Sequence, residues 1–136
     1  MPTATAPVTE NPMPDPGASR EWLAPFQVDL PLTLGVHRRG PSDPAYRVDP
    51  AGAIWRTMLT PDGPGTLRVT CRRPDDSGTL ATGQAWGPGA TWLLDRLPAQ
   101  LGADDDPSGF TPRHPVLADL AVRYPGLRIG RTWRVF

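Results

Sequence analysis

Apolar and polar residues alternate with a period of two in the middle of the chain, as they do in half-buried β-strands. The segment "TLRVTCRR" shows this pattern at 66–73, and "AIWRTMLT" precedes it across the turn signal "PDGPG". A second turn, "PDDSG", leads into "TLATGQAW" at 79–86. These segments predict a three-stranded antiparallel meander whose first two strands form a hairpin with a long loop. One face of the middle strand carries Leu67, Val69 and Cys71, and the other carries Arg68, Thr70 and Arg72.

Another alternating segment lies closer to the N-terminus. In "FQVDLPLTL", at 26–34, large apolar residues alternate with Gln, Asp, Pro and Thr, which predicts a strand. Because Pro31 has no N–H to donate to a sheet ladder, we expect this strand at an edge of the sheet, or with that position facing outward. The next segment, "GVHRRGPSDPAYRVDPAG", is interpreted as a connector that includes at most a short helical turn.

Two helices are predicted after the meander. In "GPGATWLLDRLPAQLG", at 87–102, apolar residues recur at i, i+4, i+7 and i+11 from Ala90. Pro98 removes one backbone hydrogen bond and is expected to kink or split this helix, which Gly102 can end. A second helix is expected to begin at Pro115 and to end before "PG". Its apolar stripe consists of Leu117, Leu120, Ala121 and Tyr124.

The order of these elements indicates the fold class and the domain organisation. Strands come first and helices follow, so the predicted class is α+β, an antiparallel β-sheet with packed helices. The first 24 residues are rich in Pro, Thr and Ala with few large apolar groups, and we expect them to form a disordered tail. The chain is therefore divided into a tail at 1–24, an α+β domain at 25–112 and a last segment at 113–136.

Composition narrows the class of protein further. The chain has 136 residues, enough for one ordinary domain, and its formal net charge of zero argues against a broadly basic nucleic-acid coat. A lone cysteine provides neither a disulfide framework nor a zinc cluster. No apolar stretch approaches the roughly 20 residues of a membrane helix, and the N-terminus lacks the pattern of a signal peptide. A cytoplasmic protein without membrane contact is the expectation.

Few residues are candidates for chemistry. The acidic run at 104–109 matches the first half of a calcium loop, but position 115, where the loop needs a bidentate Glu, is Pro115. His37 and His114 lie far apart without partners at metal spacing, and Ser108 lacks the context of a nucleophile. Cys71 falls on the apolar face of a strand and is expected in the core. We therefore predict no metal, no cofactor and no catalytic residue.

The last 27 residues carry a local positive charge. Between Phe110 and Phe136 there are five arginines and one acid, Asp119, which gives a local charge of +4. Such a cluster can contact DNA phosphates, form a solvated face or contact another domain. The candidate contact residues are Arg113, Arg128, Arg131 and Arg134, with Arg123 as the fifth arginine.

Several of these segments together resemble one protein family. "WLLDRLPAQLG", "FTPR" and "HPVLADLAVRYPGLRIGRTWRVF" are similar to the segment that leads into the catalytic domain of bacterial DNA-3-methyladenine glycosylase II proteins. "FQVDLPLTLGVHRRGPSDPAYRVDPAGAIWRT" is similar to the start of that family's N-terminal domain, so the resemblance covers residues 26–136. It implies an N-terminal antiparallel sheet with packed helices, similar to half of a TATA-binding protein.

The resemblance implies a role in base-excision DNA repair. In the family, a Gly-rich hairpin of a helix-hairpin-helix domain grips the DNA backbone, and an Asp beyond it stabilises positive charge on the sugar as a flipped alkylated base departs. In this sequence Gly126 and Gly130 are four apart, where the hairpin requires two, and no downstream Asp follows. No catalytic residue is assigned, and the chain alone is expected to be inactive.

The same comparison suggests how the chain relates to the family. Residues 132–136 are expected to be the first turn of the helix that enters the missing catalytic domain. The chain would then be a fragment, a truncated gene product or one half of a split protein whose catalytic helix-hairpin-helix half is a separate chain.

A different function stays open, a stand-alone TATA-binding-protein-like module that grips DNA. Arg68 and Arg72 suit such a face, but the middle strand offers no apolar wedge. DNA, bound weakly at most, and a separate catalytic chain are thus the expected partners.

Overall fold

From residue 54 onward the strands and helices follow the predicted order, whereas before it they differ from the prediction. A computed structural model describes residues 17–133. The strands are β1 (Ala18–Ala24), β2 (Tyr46–Val48), β3 (Ile54–Thr60), β4 (Gly63–Arg72) and β5 (Thr79–Trp86). The helices are α1 (Leu30–Gly35), α2 (Ala90–Asp95), α3 (Leu97–Gln100) and α4 (Pro115–Arg123), with a 3-10 turn at Pro107–Gly109. The α+β class is confirmed. No helix within residues 17–133 is long and apolar enough to cross a membrane.

All five strands form one antiparallel sheet in the order β1-β5-β4-β3-β2. The predicted meander is confirmed as β3, β4 and β5. Its first loop is shorter than expected: Thr60 pairs with Gly63, so only Pro61 and Asp62 connect the two strands. The connector before β3 contributes the short edge strand β2, which the sequence did not indicate.

One face of the sheet packs against the helices. Inward positions alternate with outward ones along β4 and β5, as the period of two predicts. Short helices α1, α2 and α3 supply the opposite side of the core, which the sheet's small residues Ala81 and Ala85 allow them to approach closely. The largest fully buried apolar side chains are Leu34, Ile54, Leu67, Val69, Leu93, Leu97 and Leu101.

The predicted strand at 26–34 is wrong, since its second half is helix α1. Asp29 caps the helix, because its Oδ1 accepts a hydrogen bond from the Leu32 N–H at 3.1 Å. Pro31 occupies the first turn, where its missing N–H costs nothing. The same apolar residues also fit a helix, because Leu30 and Leu34 are four residues apart and both are buried on one face of α1. The capping signal therefore prevails over the period of two.

The expected disorder up to Ala24 is wrong for residues 18–24, which form β1. This strand pairs along its whole length with β5, from Ala18 opposite Ala85 to Ala24 opposite Thr79. The Arg20 guanidinium donates to the Leu94 carbonyl oxygen at 2.9 Å and ties the strand to α2. Residues 1–16, the rest of the expected tail, lie outside the described residues.

Both predicted helices after the meander are confirmed. The first is split as expected: α2 ends before Arg96, and α3 carries Pro98 in its first turn. Gly102 follows with φ = 94°, a left-handed conformation that suits glycine at a helix end. α4 begins at Pro115, and its cap is His114, whose Nδ1 accepts a hydrogen bond from the Val116 N–H at 3.2 Å.

Candidate functional site

The most distinctive surface feature is an apolar region in the last quarter of the described chain. None of the residues of α4 is buried, although the helix is amphipathic. Leu117 and Leu120 of its predicted stripe remain 47% and 41% exposed. Nine of the thirteen large apolar side chains that are exposed among residues 17–133 lie between 110 and 133. We define the C-terminal apolar surface as Val116, Leu117, Leu120, Tyr124, Leu127, Ile129 and Trp133.

The backbone after α4 is held against the core even though its apolar side chains are exposed. The Gly126 carbonyl oxygen accepts a hydrogen bond from the Asp29 N–H at 2.7 Å, at the start of α1. Farther on, the Arg131 N–H donates to the Ala99 carbonyl oxygen of α3 at 2.8 Å. The exposure of Leu127 and Ile129 therefore belongs to an anchored segment, whose apolar side chains face away from the core.

The two glycines of "PGLRIG" have a packing role in this segment. A Cβ on Gly126 would lie 2.7 Å from the Asp29 backbone nitrogen, and one on Gly130 would collide with the Gln100 carbonyl oxygen. Each glycine thus permits close approach to a different helix. Both glycines are therefore explained by packing within this chain.

Arg128, a candidate contact residue, is engaged within the chain. Its guanidinium carbon lies 3.5 Å from the centre of the Phe26 ring, and its Nη1 donates to the Asp105 carbonyl oxygen at 2.8 Å. The Ile129 N–H donates to the Asp105 carboxylate at 3.0 Å, which fixes the same loop. Arg128 therefore serves to hold the loop after α3 to the C-terminal segment.

The other candidate arginines differ in their surroundings. Arg113 is exposed just before α4. Arg123 forms an ion pair with Asp119 at 2.9 Å along α4. Arg131 lies 3.9 Å from the Asp104 carboxylate and 5.2 Å from the Trp133 ring centre. Arg134, like the remainder of the expected helical turn, lies outside the described residues; Thr132 and Trp133 themselves are not helical. Arg113, Arg123, Arg128 and Arg131 thus have different surroundings in the described part of the chain.

The other residues considered for chemistry have local structural roles. Asp106 caps the 3-10 turn by accepting a hydrogen bond from the Ser108 N–H at 3.0 Å. Hydrogen bonds from the side chain and backbone of Ser108 lower the pKa of Asp106. Within residues 17–133, no group of three His, Cys, Asp or Glu side chains is placed to hold a metal ion. Burial raises the pKa of Cys71 to about 12, as expected for a thiol packed against the core.

The outward face of the sheet holds an aromatic pair that the sequence pattern did not predict. Trp55 of β3 and Trp86 of β5 stack with ring centres 5.2 Å apart and an angle of 17° between planes. Arg47 and Arg68 lie over the Trp55 ring, at 5.2 and 5.7 Å from its centre. Asp49 accepts hydrogen bonds from the Trp55 indole at 2.9 Å and from Arg68 at 3.3 Å. We call this outward surface the open face.

The signal for this pair lay in the strand register. Trp55 is opposite Arg68 in the β3–β4 ladder, and Trp86 is opposite Thr66 in the β4–β5 ladder. Both tryptophans thus flank β4 on the side away from the core. Periodicity places each on an outward position, but only the register of two different hairpins brings them together.

Comparison of the chain with models of protein families, with curated proteins and with solved structures finds no match.

Proposed function

We propose that this chain is the non-catalytic N-terminal domain of a base-excision repair enzyme like DNA-3-methyladenine glycosylase II. The proposal is supported by the sequence resemblance over residues 26–136 and by the agreement of the coarse architecture, an antiparallel sheet with helices on one face. A topology like half of a TATA-binding protein is part of this proposal.

The observation that carries the proposal is the C-terminal apolar surface. α4 has a regular apolar stripe, yet none of its residues is buried. An apolar stripe on a helix usually packs against a neighbouring element, and a contiguous exposed patch is typical of an interaction site. In the proposal, the helix-hairpin-helix domain covers this stripe, since α4 lies in the segment that resembles the lead-in to that domain.

The division of labour between the two parts follows from the resemblance. The helix-hairpin-helix domain would flip the alkylated base, grip the DNA backbone and supply the Asp that stabilises the departing sugar. This chain would orient that domain through the packing of α4. The purified chain alone is therefore expected to release no base from alkylated DNA. Release above background that a point mutation within residues 17–133 abolishes would contradict this division.

The direct test supplies the catalytic half separately. We expect the isolated helix-hairpin-helix domain of a glycosylase of this family to form a one-to-one complex with this chain, measured by isothermal titration calorimetry. Changing Leu117 and Leu120 to Asp should weaken the complex at least tenfold, because it places two charges in an apolar contact. Leu23→Asp is the matched control, since Leu23 is also exposed, at 59%, but lies on β1 and is not part of the C-terminal apolar surface. Absence of a complex, or equal weakening by the control, would refute the proposal.

A second candidate is a stand-alone DNA-binding module that uses the open face. The stacked Trp55 and Trp86 with two neighbouring arginines favour it, because aromatic rings and guanidinium groups suit contacts with bases and phosphates. Arg68, however, already forms an ion pair with the Asp49 carboxylate at 3.3 Å, which counts against its use in binding a phosphate. Under the leading proposal, duplex DNA should bind weakly and with strong salt dependence, at about 10⁻⁴ to 10⁻⁶ M. Nanomolar binding at physiological salt, lost on changing Trp55 and Trp86 to Ala, would favour the module instead.

A further inference from the structure

The segment after α4 lies across the start of α1 and the end of α3, and we call residues 126–131 the strap. Less exposed residues alternate along it with exposed ones: Gly126, Arg128 and Gly130 are buried or half-buried, and Leu127, Ile129 and Arg131 are exposed. This period of two is typical of an extended chain with one side against a support. The inward side consists of two glycines and one arginine, so the strap holds its large apolar side chains outward.

The two ends of the strap are attached through the backbone. The Gly126 carbonyl oxygen accepts a hydrogen bond from the Asp29 N–H at 2.7 Å, and the Arg131 N–H donates to the Ala99 carbonyl oxygen at 2.8 Å. Neither bond depends on a side chain of the strap. Fixing both ends leaves the middle of the strap to be held by other contacts.

The middle of the strap is held by Arg128 and Asp105. The Arg128 Nη1 donates to the Asp105 carbonyl oxygen at 2.8 Å, and the Ile129 N–H donates to the Asp105 carboxylate at 3.0 Å. We call these two hydrogen bonds the clasp. They connect the loop after α3 to two successive residues of the strap.

The chain provides a fitted place for the Arg128 side chain. A Cβ on Gly102 would collide with the Arg128 Cβ, so the glycine that follows α3 leaves room for the start of this side chain. Farther out, the guanidinium carbon lies 3.5 Å from the centre of the Phe26 ring, which packs against the core. A guanidinium over an aromatic face is a favourable contact. Arg128 therefore joins the strap to the core as well as to the loop after α3.

The strap has a larger part than α4 itself in holding the C-terminal apolar surface in place. No residue of α4 is buried, so the packing of the helix contributes little to its attachment. Segments with few buried apolar contacts are the ones that open locally while the rest of a protein stays folded. We therefore expect the strap and α4 to be released together when the clasp is broken, without unfolding of the sheet.

We propose that Arg128 and Asp105 are positioning residues for the C-terminal apolar surface. The clasp keeps the strap closed, and the closed strap holds Leu127 and Ile129 beside α4 in one arrangement. A surface that is fixed before binding loses less conformational freedom on association, which increases affinity. The role in docking rests on the proposed repair function, whereas the opening of the strap is a property of this chain alone.

Amide hydrogen exchange of the isolated full chain, measured by nuclear magnetic resonance, tests the opening. In Arg128→Met, the amides of Asp29, Ile129 and Arg131 should exchange at least tenfold faster than in the wild-type chain, because their hydrogen bonds are lost when the strap opens. The Thr33 amide, which donates to the Asp29 carbonyl oxygen within α1 at 2.9 Å, should keep its wild-type rate. Unchanged exchange of the three amides, or equal acceleration at Thr33, would overturn the proposal.

Variants of the other clasp residue separate a local effect from release of the whole strap. Asp105→Ala removes the carboxylate and should accelerate exchange at Asp29 and Arg131 as well as at Ile129. Asp105→Asn keeps an oxygen that can accept the Ile129 N–H, so its acceleration should be smaller. Arg72→Met, at an exposed position of β4, is the control and should change none of these rates. Acceleration confined to Ile129 in Asp105→Ala would contradict release of the strap as a unit.

Calorimetric titration with the isolated helix-hairpin-helix domain then distinguishes this inference from the proposed function. Arg128→Met and Asp105→Ala should each weaken the complex about tenfold, because the partner must order a loosened surface. A complex of wild-type affinity in both variants would overturn the positioning role and leave the proposed function standing. If the wild-type chain forms no complex, the proposed function is refuted, and the exchange rates alone decide whether the clasp holds the strap.

Discussion

Asp49 organises much of the open face through one carboxylate. Its Oδ2 accepts hydrogen bonds from the Trp55 indole and from Arg68, and its Oδ1 accepts backbone N–H groups of Ala51 and Ala53, each at 3.0 Å. These bonds connect the turn before β3 to the aromatic pair. The Trp55 hydrogen bond is the main reason that the pKa of Asp49 is lowered.

We expect Asp49→Asn to lower the free energy of unfolding by about 1–2 kcal/mol at pH 7, because hydrogen bonds to a charged acceptor are lost. A lowered folded-state pKa means that the stabilisation is complete above the ordinary value of 3.8 and is lost as the pH falls through the folded-state pKa. Urea unfolding at pH 7 and near pH 2.5 measures both effects. Asp95→Asn, at the exposed end of α2, is the control. A deficit that persists undiminished at the lower pH would contradict this account.

Cys71 should be chemically inert in the folded chain. With its pKa raised to about 12, only about one thiol in ten thousand is ionised at pH 8. Alkylation by iodoacetamide should therefore be at least a hundredfold slower in buffer than in denaturing urea. Because the folded state holds its proton more tightly, stability should also decline as the pH rises above 9. Equal alkylation rates in the folded and unfolded chains would show that Cys71 is accessible.

At the scale of the elements, the sequence predicts best where pattern and packing agree. In β4 the period of two coincides with burial of Leu67 and Val69, so the strand and its inner face are correctly predicted. In α1 the alternation of apolar residues suits a strand, whereas the cap at Asp29 suits a helix. The six residues form a helix. The cap at Asp29 and the proline in the first turn favour the helix, and the burial of Leu30 and Leu34 four residues apart agrees with it.

β1 shows why a strand can be missed altogether. Its inward positions carry Ala18, Arg20, Trp22 and Ala24, of which only Trp22 is a large apolar residue. Such a segment has little intrinsic preference for a strand. Pairing with β5 provides the backbone hydrogen bonds, and the small inward residues fit over the packed helices. Neither contribution is visible in the local pattern.

The strand assignment can be tested at two adjacent positions. Trp22 packs edge-on against Phe26, with ring centres 5.8 Å apart, whereas Leu23 points to the open face and is 59% exposed. We expect Trp22→Ala to lower the free energy of unfolding by about 2 kcal/mol, less than for a fully buried Trp. Leu23→Ala should change it by less than about 0.5 kcal/mol. Equal, small effects in urea unfolding would mean that β1 does not pack as described.

In the described part of the molecule, one core lies between the sheet and the helices, and two surfaces stand out around it. The helices cover the inner face of the sheet, the open face carries the stacked tryptophans, and the C-terminal apolar surface lies on α4 and the segment after it. The stripe of α4 was predictable from its spacing, but its exposure was not, because a sequence pattern does not say which neighbour covers a helix. The charge of the last residues was likewise visible, whereas the engagement of Arg128 with Phe26 and Asp105 depends on long-range packing.

Because no residue of α4 is buried, substitutions in its apolar stripe should affect stability much less than substitutions in the core. Changing Leu117 and Leu120 to Ser should leave the free energy of unfolding within about 0.5 kcal/mol of wild type, because neither side chain is buried. Leu93→Ser, at a fully buried position of α2, should cost several kcal/mol, since it creates a cavity and buries a hydroxyl.

The same double change should alter how the molecules associate. Exposed apolar patches promote self-association, so sedimentation velocity should show fewer oligomers for the variant than for the wild-type chain at equal concentration. The surface would then be free in the isolated chain and available to the partner domain proposed above. If the double variant instead loses as much stability as Leu93→Ser, α4 packs on the core of its own chain. The C-terminal apolar surface would then be an internal contact, and the domain-docking proposal would lose its main support.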